Sequence, residues 1–106
     1  MSVIEEVMLE EYERSIRIEK AILIEQEQLP KGSIQIKKIA NKQYNYLMYR
    51  EDNKVISRYI KPEELDSLKK QIQKRKENQA ALKELRKSKQ QIIRALGKEY
   101  IDKHTK

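Results

Sequence analysis

Chain-breaking residues are scarce in this sequence, and their placement dictates how it can fold. The two prolines and two glycines are Pro30, Gly32, Pro62 and Gly97. Pro30 pushes the residue before it out of helical geometry, so a helix running toward Leu29 ends there. Pro62 suits the first position of a helix, where its missing N–H is not needed. Gly97 suits a helix stop. These four residues divide the chain into a helix-forming stretch, an extended segment and a second helix-forming stretch.

The first helix is predicted over residues 3–28. Ser2 and Glu5 have the S-x-x-E spacing of a capping box, and helix formers continue unbroken to Gln28. Ile4, Met8, Tyr12, Ile16 and Leu23 lie along one side, while Val3, Val7, Ile18 and Ala21 form a narrower second stripe. Two stripes imply cover from more than one direction, including by a second chain. The second helix is predicted over residues 62–96, with Glu63 and Glu64 opposing the dipole in its first turn. Leu65, Leu68, Ile72, Leu82, Ile93, Leu96 and Tyr100 follow a coiled-coil-like 3,4 spacing, interrupted by Arg75, Gln79, Arg86 and Lys89. At 1.5 Å per residue it runs roughly 50 Å, longer than a compact body of this size. Part of it should therefore project or pair with another helix. Residues 102–106 read as a frayed tail.

Between the helices, residues 33–60 read as a β-meander. Ser33–Ile39 alternates Ile34 and Ile36, Tyr44–Arg50 is rich in tyrosine, and Val55–Ile60 is β-branched and aromatic. Asn41-Lys42 and Asn53-Lys54 fall in the two intervals and suit tight hairpin turns, since Asn tolerates left-handed backbone. The fold class is therefore α+β: an N-terminal helix, a three-stranded antiparallel sheet and a long C-terminal helix in one domain. With two-residue loops, one sheet face carries Ile34, Ile36, Leu47, Tyr49 and Ile56 and is the better core. The other interleaves Gln35, Lys37, Tyr44, Tyr46, Met48, Ser57 and Tyr59. Set against this, Tyr46, Met48 and Tyr59 could pack under the second helix, and a one-residue slip in a turn would exchange the faces.

Charge narrows the function. The formal net charge is +7, from 24 basic and 17 acidic residues. Up to Leu29 there are eight acidic and three basic residues; from Pro30 onward there are nine acidic and 21 basic. The later part would attract a polyanion, unless its lysines merely solvate a long helix. With no Cys, neither a disulfide nor a thiolate metal site can form. The single His, His104, has no companion ligands, and no nucleophile has a base at a recognisable spacing. No enzyme activity, metal or cofactor is expected. No apolar run reaches membrane-spanning length and no secretion signal is evident, so the expected location is cytoplasmic.

Gly32-Ser33-Ile34, the strand Tyr44–Arg50 and the strand Lys54–Ile60 resemble a loosely defined group of small bacterial and mobile-element proteins with a sheet followed by a long charged helix. The order of elements is also distantly similar to the arm-type DNA-binding domain of phage integrases, which lays three strands in a groove. In size and style the chain resembles phage-encoded inhibitors of host defence such as anti-CRISPR proteins. The first expectation is a basic binder of DNA, RNA or a ribonucleoprotein. Its candidate contacts are Lys37, Lys38, Tyr44, Tyr46, Arg50, Lys54, Arg58, Lys69, Lys70 and Arg75. The alternatives are an inhibitor or antitoxin directed at a nucleic-acid enzyme, and a coiled-coil adaptor or homodimer formed through the helices.

Overall fold

A computed structural model describes residues 2–105 of the chain. Helix α1 (Val3–Gln28) is followed by strands β1 (Ser33–Ile39), β2 (Lys42–Glu51) and β3 (Lys54–Ile60), the long helix α2 (Pro62–Leu96) and a short helix α3 (Lys98–His104). The fold is α+β in the expected order, with one helix more than the sequence implied. Two compact units divide the chain, one over Glu27–Glu77 and the other over residues 2–26 with 78–105. Both helices α1 and α2 contribute to each.

The Glu27–Glu77 unit holds the sheet, an antiparallel meander in the order β1-β2-β3. Ile34 lies opposite Leu47, and Leu47 opposite Arg58; Gln35, Tyr46 and Tyr59 form the next row. The hairpin loops are Ala40-Asn41 and Asp52-Asn53, with φ of 49° and 67° in the first and 49° and 65° in the second. Positive φ at both central residues is the type I′ arrangement, whose twist matches that of the strands it joins. Each loop thus sits one residue earlier than expected, and Lys42 and Lys54 open strands instead of closing turns. Moving a two-residue loop by one position shifts the register by two, so every side chain keeps its face.

One face carries the core. Leu47 and Ile60, 3% and 2% exposed, pack with Leu68 and Ile72 of α2, and Ile34, Tyr49 and Leu65 close the cluster. Fully burying a side chain such as Ile60 stabilises by about 1.5–3 kcal/mol. Ile36, expected in this core, is 62% exposed; its neighbour across the strand is Asn45, and it lies outside the cluster that α2 covers. Gly32 enters β1 at φ +113°, and a Cβ there would collide with the Met48 carbonyl oxygen. A strand start at this point requires glycine for both reasons. The linker before it is pinned to α2, because the Arg75 guanidinium donates to the Leu29 carbonyl at 3.1 Å.

The second unit is helical. Ser2 Oγ accepts the Glu5 backbone N–H at 3.1 Å, which is the N-cap half of the expected capping box. Leu82 and Ile101 are buried, together with the polar Ser15 and Asn78. The Asn78 amide donates to Glu25 Oε1 at 2.7 Å and to Gln26 Oε1 at 3.1 Å. Lys89 Nζ lies 2.9 Å from Glu19 Oε2, with both side chains 19% exposed. Two polar positions of the α2 seam are therefore matched by polar groups of α1. Gln79, expected in that seam, is exposed, and Asn78 takes the inward place beside it.

Gly97 ends α2 as expected, at φ +88°, donating its N–H to the Ile93 carbonyl at 2.7 Å. The chain does not fray there. Residues 98–104 form α3, Ile101 is 3% exposed, and Thr105 Oγ1 donates to the Ile101 carbonyl at 2.7 Å. Asp102, Lys103 and His104 are helical because the buried Ile101 anchors them; Lys106 lies outside the described residues. Both stripes on α1 stay open at their start, with Ile4 of the first and Val3 and Val7 of the second exposed.

Candidate nucleic-acid interface

On the sheet face opposite the core, aromatic rings and cations meet. β1 places Ser33, Gln35, Lys37 and Ile39 on it. β2 adds Lys42, Tyr44, Tyr46, Met48 and Arg50, and β3 adds Val55, Ser57 and Tyr59. The period-two alternation of the strands produces this division, and the core takes Ile34, Leu47, Tyr49 and Ile60 to the other side. Tyr46, Met48 and Tyr59 therefore do not lie under α2. The helix covers the aliphatic face, which buries more carbon per residue and carries no cluster of hydroxyls needing partners.

Three rings form a single cluster. The Tyr46 and Tyr59 centroids are 5.8 Å apart at 66°, and Tyr44 and Tyr59 are 6.3 Å apart at 58°. The first pair is edge-to-face and the second tilted, arrangements that suit the ring quadrupoles. The Lys37 ammonium sits 4.7 Å from the centroid of Tyr46. That cation–π contact fixes one positive charge over the aromatic cluster. Tyr59, the ring shared by both pairs, is 47% exposed, and Ile39 and Val55 are exposed at 55% and 60%.

The electrostatics favour the same place. The sheet unit has 13 basic against seven acidic residues, whereas the helical unit, over residues 2–26 and 78–105, has ten against ten. All the acidic residues of α1 except Glu27 belong to the unit that holds the basic second half of α2, so charge there cancels. On the tyrosine face the strands present Lys37, Lys42 and Arg50, and no carboxylate among the described residues. Glu51 and Asp52 lie at the second turn.

The expected contact residues divide into groups. Lys37, Tyr44, Tyr46 and Arg50 share the tyrosine face. Lys38, Lys54 and Arg58 have the opposite parity and are exposed on the core side of the strands. There, a shallow cleft of about 440 Å³ is lined by Arg58 together with Lys31, Tyr49 and Glu51. Lys69 and Lys70 are exposed on α2, beside Lys74 and Glu77. Arg75 is half-buried and tied to Leu29, so its guanidinium holds the linker. Lys42 and Tyr59 complete the face although neither was among the expected contacts. Asn41-Lys42 suits a turn by sequence, which hides Lys42 as a strand residue, while strand alternation alone places Tyr59 on this face.

Elsewhere the chemistry is sparse. Among the described residues no three His, Asp or Glu side chains come together as a metal site, and no helix is long and apolar enough to cross a membrane. The Tyr100 hydroxyl is buried without a well-formed hydrogen bond. Desolvation raises its pKa above the ordinary 10.0, and the carboxylates of Glu5 and Glu6 add to the shift. His104 stacks on Tyr100 with centroids 4.2 Å apart and donates from Nδ1 to the Tyr100 carbonyl at 2.8 Å.

The family described as Domain of unknown function (DUF6788) matches the chain over residues 8–70, a span that includes the whole sheet and more than half of the sequence. No curated protein and no solved structure matches the chain. These comparisons lend no support to the likenesses to integrase arm domains and to phage inhibitors of host defence, or to a mobile-element origin.

Proposed function

The chain belongs to the DUF6788 family, and for it we propose the role of a non-enzymatic binder of nucleic acid or of a nucleoprotein, with the face opposite α2 as its contact surface. The observation that carries this reading is the coincidence on one face of three clustered tyrosines with Lys37, Lys42 and Arg50 and no strand carboxylate. Phosphates supply the charge such a face lacks, and cations placed beside rings can hold a backbone while the rings meet bases or sugars. The +6 balance of the sheet unit, 13 basic against seven acidic residues, adds a long-range attraction that the nearly neutral helical unit does not provide.

Binding through these cations releases condensed counterions, so affinity should fall steeply with salt. Three phosphate contacts give a slope of log K against log salt of roughly −2 to −3. Fluorescence anisotropy of a labelled oligonucleotide between low and moderate salt measures it. The double variant Lys37→Glu/Lys42→Glu should lose at least about tenfold in affinity at low salt, since it reverses two of the face's charges. The control Lys83→Glu/Lys87→Glu lies on the helical unit and should change affinity by less than about twofold, in proportion to net charge alone. A salt-independent curve, or equal losses in the two double variants, would remove this face as the contact surface.

A further inference from the structure

We infer that the nucleic acid held by this face is a single strand whose bases stack on Tyr59, an inference that rests on the binding role proposed above. Tyr59 is the shared ring of the cluster, in contact with both Tyr44 and Tyr46, and still 47% exposed. A ring already fixed by its neighbours loses little freedom when a base settles on it. Lys37 is committed to the face of Tyr46, which leaves Tyr59 as the ring with open surface.

A duplex keeps the faces of its bases inside the stack and shows a protein only backbone and groove edges. Tyrosine rings on a sheet face have no base face to stack on there. An unpaired strand offers every base face, and stacking on aromatic side chains is how single strands are commonly gripped. The cations are placed to follow such a strand. Lys42 opens β2 and Arg50 lies near its other end, so at about 3.4 Å per residue they are roughly 27 Å apart. That span corresponds to the lower end of single-strand site sizes, on the order of four nucleotides. Between them lie Tyr44, Tyr46 and Met48, with Tyr59 across the strand. The absence of a carboxylate from the strands of this face, among the described residues, completes the charge complementarity with a phosphate backbone.

The test compares a 12-nucleotide oligo-U, the matching oligo-dT and a 12-base-pair duplex as anisotropy probes with the full chain at fixed salt. Both single strands should bind at least about tenfold more tightly than the duplex. Tyr59→Leu, which keeps an apolar contact with Tyr44 and Tyr46 but has no ring, should weaken oligo-U binding about tenfold and leave duplex binding within twofold. Tyr59→Phe should restore the loss, since the ring face and not the hydroxyl is used. Far-UV circular dichroism and the thermal midpoint of each variant establish that the sheet is intact. If the duplex binds as tightly as the single strands and Tyr59→Leu is silent, stacking is overturned while the basic face stands. If none of the three probes binds, both readings fall together.

Discussion

Gly32 shows how one residue decides whether the sheet can begin. Its φ of +113° is unfavourable for any L side chain, and the Met48 carbonyl already occupies the space a Cβ would need. Gly32→Ala is expected to cost about 2 kcal/mol or more, read as a lower urea midpoint with an unchanged slope. At Tyr100 the consequence concerns pH. Its folded pKa is raised above 10.0, so the unfolded chain gives up this proton first as pH rises. The folded state then holds more protons than the unfolded one, and stability declines from about pH 10 upward. Thermal midpoints of the natural chain should therefore fall more steeply between pH 9 and 11 than those of Tyr100→Phe, in which the titrating hydroxyl is gone. Parallel declines in the two proteins would remove Tyr100 from the alkaline transition.

Among the elements, the hairpins and α2 show what the sequence made legible and what it hid. The strands, their faces and the aliphatic core were readable from alternation, because a two-residue loop preserves parity wherever it is placed. The loop positions were not readable. Ala40 takes φ 49°, a conformation alanine disfavours, and only the pairing of Ile39 with Lys42 requires it there. Ala40→Asn, which tolerates that geometry, should raise stability by about 0.5–1 kcal/mol in chemical denaturation. A loss of stability would mean that the first turn is not type I′. Along α2 the apolar spacing located the seam but not its polar members. Arg75 and Lys89 read as interruptions, yet one holds Leu29 and the other meets Glu19. Such partners lie dozens of residues away in sequence, and no local pattern announces them. Helix α3 was hidden for a related reason: seven residues carry little intrinsic signal, and burial of Ile101 supplies what propensity does not.

For the molecule as a whole, charge is divided by unit. The acidic opening segment shares the helical unit with basic residues of α2 and nearly cancels them, so the positive excess belongs to the unit that carries the tyrosines. The candidate face was legible as a strip of alternating tyrosines and lysines. Its freedom from α2 was not, because which side a helix covers depends on packing that strand alternation leaves open. Lys42 is likewise hidden in the sequence, because Asn41-Lys42 suits a turn as well as a strand start. NMR titration of the isotope-labelled chain with oligo-U puts the face to a direct test. Shift changes are expected to concentrate at Lys37, Lys42, Tyr44, Tyr46 and Tyr59 and to leave residues 78–104 still. Changes centred on the helical unit, with the tyrosine strands unmoved, would contradict the assignment of binding to the sheet.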